Sequence, residues 1–514
     1  MSTLPPQALF IGPRSASFLL DEESCYALES PAHIRLNGIP VCQAETAVVS
    51  LYDLLPDTEY CLSAEKDGED ATYTFRTLPE SVTYNVRIFG AQGDGVHDDT
   101  HAIQAAIYAC PENGRVLIPR GTYLVFPLFL KSHIRLEIAE GAELRLANDR
   151  SRFPILPGMV QTTDEQDDIN LGSWEGNPLD AFASLLTGID VEDVYVYGKG
   201  ILNGQGDLGD WWKDHKKKHG AFRPRMIFLN HCENIVFQGL QIMRSPAWNV
   251  HPYFSKHLGF YSLTITAPAD SPNTDGFDPE SCEGISMMGV HFSVGDDCIA
   301  IKSGKIYMGR RYQTPCKNIE IAHCLMEDGH GGVTVGSEMS GGVQDVHIHH
   351  CTMRHTDRGL RIKTRRGRGV QGRIDRICME HVTMDYVRVP LAVNSMYFCD
   401  PDGRSAYVQS RTAQPVDERT PSIGTIVFSD CVCTHATNAG YVLGLPEKPL
   451  EHLIVRHVTM QVDPTAEPIA CIMAQDIPRN AGHGLELHHV QDAQIDLELS
   501  GHLGEAVLYG EGTK

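Results

Sequence analysis

Eight stretches of the chain superimpose on one another. They are Asn234-Ile-Val-Phe-Gln-Gly-Leu240, His257-Leu-Gly-Phe-Tyr-Ser-Leu263, Gly284-Ile-Ser-Met-Met-Gly-Val290, Asn318-Ile-Glu-Ile-Ala-His-Cys324, Asp345-Val-His-Ile-His-His-Cys351, Arg376-Ile-Cys-Met-Glu-His-Val382, Thr425-Ile-Val-Phe-Ser-Asp-Cys431 and His452-Leu-Ile-Val-Arg-His-Val458. Each has apolar residues in the second, fourth and seventh places, an alternation that marks a strand rather than a helix. The anchors Ile235, Leu258, Ile285, Ile319, Val346 and Ile377 recur at intervals of roughly 23 to 34 residues, the period of a solenoid. Units this short cannot be antiparallel hairpins and also keep one internal order. The pattern therefore predicts an all-β chain in which each unit is one coil of a parallel β-helix, its inward residues buried on neighbouring coils. Cys324, Cys351 and Cys431 share the seventh-place column with Leu240, Leu263, Val290, Val382 and Val458, so they read as small core hydrophobes. Alternation turns His347 and His349 outward and Cys351 inward, which argues against a zinc site in that stretch. Cys431-Val-Cys433 reads as packing for the same reason.

Upstream the texture changes. Short alternating runs such as His33-Ile-Arg-Leu36, Ala47-Val-Val-Ser-Leu51 and Thr72-Tyr-Thr-Phe-Arg76 are separated by turn residues. Leu55-Pro-Asp-Thr-Glu-Tyr60 resembles the segment of fibronectin type III modules in which a tyrosine pins a corner between strands. The expected partition is a small β-sandwich over residues 1–82, read as a spacer or packing module, and a solenoid over residues 83–514. Asp98-Asp-Thr-His-Ala-Ile-Gln-Ala-Ala-Ile107 predicts a helix with Asp99 or Thr100 as its N-cap and Ile103, Ala106 and Ile107 on one face. Such a helix would cover one end of the solenoid.

The 514 residues include 43 Lys+Arg against 66 Asp+Glu, for a formal charge of -23. A surface that acidic repels nucleic acid and anionic membranes. No apolar run approaches the length of a membrane span, and Met1-Ser-Thr-Leu-Pro-Pro-Gln7 does not read as a secretory signal. The expectation is a cytoplasmic protein with neither a nucleic-acid nor a membrane partner. The 15 cysteines then do not read as a disulfide framework. Oligomeric state is not legible in the sequence.

Stacking turns register into geometry, because matching places on successive coils lie about 4.8 Å apart. Counted from their anchors, Asp275, Asp297, His330 and Arg361 fall on one face of adjacent coils. That face carries Asp275, the pair Asp296 and Asp297, His330, Arg361 and Lys363. Each motif alone has an ordinary explanation: Asn273-Thr-Asp-Gly276 and Gly329-His-Gly-Gly332 as turns, Arg361-Ile-Lys363 as outward alternation. In register they form a charged stripe. Carboxylates one coil apart suit glycoside hydrolysis, where one group gives a proton to the leaving oxygen and another activates water. Crowding raises at least one carboxylate pKa and so supplies the acid. Lateral offset plus one coil spacing leaves room for a water, which favours inversion. The basic run Arg358, Arg361, Lys363, Arg365, Arg366 and Arg368 predicts a cationic pocket for a uronate carboxylate.

These motifs, Asn273-Thr-Asp275, Gly295-Asp-Asp297, Gly329-His-Gly331 and Arg361-Ile-Lys363, resemble in order and spacing those of the polygalacturonase family, glycoside hydrolase family 28. The similarity runs through roughly residues 84 to 480 and implies a right-handed parallel β-helix. It implies Asp296 as general acid, Asp275 and Asp297 positioning and deprotonating water, and His330 tuning the acid pair. Arg361 and Lys363 would bind the substrate carboxylate, and His251, Trp248, Asn273 and Lys302 complete the expected substrate-binding set. No metal or organic cofactor is implied.

Gly204-Gln-Gly206 through Trp211-Trp212 to Arg223-Pro-Arg225, together with Ser245-Pro-Ala-Trp-Asn-Val-His251, resemble exo-type relatives, as does the fibronectin-like front. Insertions of this kind can wall off one end of a cleft. Trp211, Trp212 and Trp248 read equally as sugar platforms or as buried packing. The expected substrate is a pectic oligogalacturonide. Rhamnogalacturonan and other pectin side-chain oligosaccharides, a calcium-dependent pectate lyase and a non-catalytic carbohydrate-binding solenoid are the alternatives. The stretch from Tyr397 to Pro421 interrupts the repeat and reads as a long loop of unassigned role.

Overall fold

The computed structural model describes residues 5–160 and 169–514. The anchors of the eight stretches stack residue on residue. Val194 pairs with Ile235, and the column continues through Leu258, Ile285, Ile319, Val346, Ile377, Ile426 and Leu453, every step parallel. The chain is a parallel β-helix, and the seventh-place column from Leu240 to Val458 is buried throughout, cysteines included. The sixth place explains the bend that closes each long strand. Gly239, Ser262, Gly289, His323, His350, His381, Asp430 and His457 all have φ between 50° and 76°. This is the left-handed region that glycine, histidine and aspartate tolerate best.

The long sheet begins at Thr83–Asn85 and gathers strands from every coil. A second parallel sheet stacks Asp297–Ile301, Gly331–Val335, Arg358–Lys363, Val389–Asn394, Gly440–Leu443, His483–His488 and Leu503–Tyr509. Bridges from Val250 to Phe277 and from Phe277 to Ile299 join this sheet to an earlier one that ends in Val250–Tyr253. That joined face carries the charged stripe.

Helix Thr100–Ala109 buries Ile103, Ala106 and Ile107 against the first coils. Asp99 is the N-cap residue, as expected, but its side chain does not bond the helix. The Asp99 carboxylate accepts from the Gln92 and Gly93 N–H groups instead of the helix, and Asp98 receives the Thr100 N–H. Among the described residues, no helix is long and apolar enough to cross a membrane.

Ahead of the solenoid, Gln7–Ile11, Ala16–Leu19 and Val48–Leu51 form one antiparallel sheet. Ala27–Leu36, Ile39–Thr46, Glu59–Lys66 and Glu69–Arg76 form another. Asn37-Gly38 and Asp67-Gly68, all at positive φ, make the two-residue hairpin turns whose twist suits antiparallel strands. The Tyr60 hydroxyl accepts the Leu55 N–H at 2.9 Å. The Phe18, Ile34, Leu62 and Phe75 core runs on into Tyr195, Tyr197, Val236, Tyr261 and Met288 of the long sheet. This front therefore lies along the flank of the solenoid, with Phe10 edge-on to Tyr195 and stacked on Tyr261.

Candidate active site

The joined face brings the stripe together as the register requires. Asp297 begins its strand opposite Gly331, and Arg361 and Lys363 project from the next strand. Arg361 Nη1 lies 2.9 Å from Asp297 Oδ1, and Lys363 Nζ lies 2.8 Å from Oδ2. Gly331 permits this approach: a Cβ there would sit 2.7 Å from Asp297 Oδ1 and 2.4 Å from Thr334 Oγ1. Burial alone would favour protonated Asp297, but Lys363 and Arg361 outweigh it and hold the carboxyl well below the usual range.

Asp275 and Asp296 complete the cluster, with one carboxylate oxygen from each of the three acids within 4.8 Å of the others. Asp275 is buried, and its Oδ1 has no hydrogen-bond partner among the described residues. Burial first, then the charge of Asp296, pushes its pKa well above the ordinary value. Asp296 is the acid that faces outward, its side chain 25% exposed, and His330 Nδ1 lies 3.2 Å from its Oδ1. That contact raises the His330 pKa above the ordinary imidazole value. One oxygen of each acid approaches those of the other two to within 4.8 Å, so the three carboxyls form one tight cluster on this face.

The remaining expected residues fall behind or beside the acids. Lys302 is buried, with Nζ 3.2 Å from Asp278, 3.6 Å from Glu338 and 4.8 Å over the Trp248 ring. Trp248 stacks on Trp174 at 5.9 Å, with the Arg225 guanidinium 5.1 Å from both rings. Asn273 Oδ1 accepts from Arg223, which also donates to the Pro246 and Pro272 carbonyls. His251 is wholly buried, its Nε2 3.0 Å from Glu280. Its place is beneath the site, where it orients Glu280, and it does not reach the cleft. Trp211 is also wholly buried, against Phe153 and Phe182.

Asp278, Glu280 and Glu338 were not singled out from the sequence, although a signal existed. The register that brings Phe277 onto Ile299 also brings Glu280 onto Lys302. Burial pushes the Asp278 and Glu280 carboxyls up to about 7, whereas Lys302 and Arg368 overcome burial and hold Glu338 down at about 2.

The basic run does not form one pocket. Arg365 pairs with Asp400 and Asp402, Arg366 with Glu447, and Arg368 with Asp400 and the Ser337 carbonyl. These three arginines fasten the Tyr397–Pro421 segment and its neighbours to the solenoid. Arg358 donates to the Ala470 and Cys471 carbonyls and lines a cleft of about 770 Å³ with Arg388, Arg404 and Arg479. Lys305 N–H donates to the Gly176 carbonyl and Ser173 Oγ to Glu280, so the segment from Ser173 to Gly176 packs onto Glu280 and Lys305.

Comparison with known proteins fits this geometry. Residues 155–418 match the sequence profile of Glycosyl hydrolases family 28, and residues 83–136 match that of Rhamnogalacturonase A/epimerase, pectate lyase-like. A probable polygalacturonase of Vitis vinifera is 30% identical over 390 residues, covering 74% of this chain and 74% of its own. An endo-polygalacturonase of Pectobacterium parmentieri is 31% identical over 313 residues, 58% of this chain and 72% of its own. The structure of a hyperthermoactive exopolygalacturonase from Thermotoga maritima superimposes with a TM-score of 0.65 at 25% identity, covering 82% of this chain and 92% of that one.

Proposed function

The chain belongs to glycosyl hydrolases family 28, and from that membership we propose that it removes α-1,4-linked galacturonic acid from the ends of pectic oligogalacturonides with inversion at the anomeric carbon. The observation that carries this reading is the division of labour among the three acids. Asp297 is held ionised between two cations, while burial and the neighbouring Asp296 favour the protonated form of Asp275. Asp296 faces the opening and delivers a proton to the glycosidic oxygen as the bond breaks. Asp297 and Asp275 orient a water and take its proton. Asp296 is then recharged from solvent beside His330.

Short carboxyl separation by itself suits a covalent intermediate. Occupancy supports inversion instead: both oxygens of Asp297 are engaged by Arg361 and Lys363, which makes it a poor nucleophile and an adequate base. The same pairs count against a calcium-dependent lyase, because Asp297 already has its counter-ions. The arginine-lined cleft shares Arg358, Ile472 and Met473 with the pocket at Arg361 and Lys363, which supports an anionic sugar chain on that side. Packing of the segment from Ser173 to Gly176 beside the site, and likeness to the Thermotoga exopolygalacturonase, support release from chain ends.

The front is read as a fibronectin type III-like unit over residues 1–82, supported by its two antiparallel sheets and the Tyr60 corner. The site of action is read as the cytoplasm, where imported oligosaccharides are the available substrates.

A time course on trigalacturonate, products resolved by chromatography with and without chelator, tests the function. The expected result is saturated galacturonic acid, insensitive to chelator. An unsaturated product would move the reading to a lyase. Inertness on galacturonides with turnover of rhamnose-bearing fragments would replace the substrate.

A further inference from the structure

Along the single strand His347-Ile-His349-His350-Cys351, the outward histidines and the inward cysteine cannot share an ion. The solenoid supplies donors from the next coil. In the parallel pair Val343–His349 and Arg373–Glu380, His347 faces Cys378 and His349 faces Glu380. One coil earlier, Glu320 faces His347. These side chains all point outward, so successive coils write a small array of imidazole, thiol and carboxylate onto the solenoid surface.

We propose that His347, Cys378 and Glu380 bind one divalent transition-metal ion of the zinc class on the flank of the solenoid, at a site separate from the catalytic acids. One ligand atom from each lies within 4.8 Å of the other two, and His347 Nε2 is 2.7 Å from Glu380 Oε1. Zinc bonds of about 2.0–2.3 Å place tetrahedral donors about 3.3–3.8 Å apart, so shifts of about an ångström close the site. An imidazole, a thiolate and a carboxylate make a donor set for zinc or cobalt, whereas calcium and magnesium take oxygen.

The surroundings fit an ion. Cys378 and Glu380 are half-buried and His347 is exposed, so an ion can reach the site from solvent. His347, Cys378 and Glu320 line a groove of about 740 Å³ that also includes Phe10 of the front sheets. The groove gives a path in and room for a water in the fourth position. The thiolate and the Glu380 carboxylate together balance a dication. His349 lies beside His347, ring centroids 4.4 Å apart, with its Nε2 3.5 Å from Glu320. That pair can orient the ligand from outside the coordination sphere. The ordinary alternative is a surface His347–Glu380 ion pair with Cys378 as a bystander.

Cobalt distinguishes the two readings. The full-length protein, stripped with chelator and reduced, is titrated with Co²⁺ while thiolate-to-cobalt charge-transfer absorption is followed. The proposal expects saturation at one equivalent and displacement by Zn²⁺. It further expects loss of the band in Cys378→Ser and at least tenfold weaker binding in His347→Ala. Cys351→Ser, in the buried column, and Asp296→Asn, in the catalytic cluster, should both keep the band. Far-UV spectra and melting temperatures check that each variant folds. His347→Ala and Glu380→Gln carry the test if Cys378→Ser does not fold. No thiolate band, or one that survives both Cys378→Ser and His347→Ala, overturns the proposal.

Discussion

Lys363→Met removes one of the two cations that hold Asp297 ionised while keeping most of the lysine stem. Lys363 Nζ lies 2.8 Å from Asp297 Oδ2. With an effective dielectric of about 20, a unit pair at that distance is worth about 6 kcal/mol, or about four pKa units. Arg361, 2.9 Å from the other oxygen, remains, so Asp297 moves from well below the carboxylate range into it or just above it. The sign follows from its role. Asp297 acts as a base only when ionised, so activity falls as pH drops through its pKa. The wild-type rate should be flat where the variant's kcat declines, between about pH 6 and pH 4. Breaking a buried pair also costs about 3–5 kcal/mol of stability, so rates are taken at low temperature with the folded fraction followed in parallel. Initial rates on trigalacturonate across pH, separated into kcat and KM, provide the assay. If Lys363 served only the substrate carboxylate, KM would rise and the acid limb of kcat would stay in place. Coincident acid limbs in variant and wild type would refute the account of Asp297.

Three further outcomes are expected. Asp296→Asn should lower kcat by about 10²–10⁴ while oligogalacturonide binding, measured by calorimetry, changes little; a normal rate removes it as the acid. Gly331→Ala puts a methyl within 2.7 Å of Asp297 Oδ1, so kcat should fall at least tenfold with an unchanged far-UV spectrum, and full activity would show that the Arg361 pair is dispensable. Glu280, pushed up to about 7 by burial, binds its proton more tightly folded than unfolded. Its stabilising contribution is therefore complete below about pH 4 and lost as pH rises through 7. Glu280→Gln removes that slope, so in urea titrations the variant should gain on the wild type from pH 5 to pH 8; a widening deficit would contradict the buried-acid assignment.

The solenoid was legible because its core is one-dimensional. Ile235, Leu258 and Ile285 need only match their neighbours one coil away, so burial repeats in sequence as it does in space. The stripe was legible for the same reason, since fixed register converts offsets from an anchor into a shared face. What escaped was whatever depends on coils meeting side by side. The dense basic run looked like one pocket, but Arg365, Arg366 and Arg368 each find an acid from a later segment, and only Arg361 and Lys363 reach the catalytic acids. His251 read as a substrate contact because it sits beside Trp248 in an insertion, whereas it is buried against Glu280. Asp278 and Glu280, the cross-coil partners of Lys302, and Cys378 facing His347, become visible only when two repeats are read together. Asp99 shows a finer limit: a good capping residue can be taken by a loop that folds back on it.

The central claim is hydrolysis from a chain end by the Asp275, Asp296 and Asp297 cluster. The most direct test is a digest of hexagalacturonate labelled at its reducing end, sampled at early times and resolved by length. The account predicts labelled chains shortened one residue at a time, with galacturonic acid as the only unlabelled product. Labelled fragments of all lengths from the first sample would contradict it and place the enzyme with those that cut within the chain.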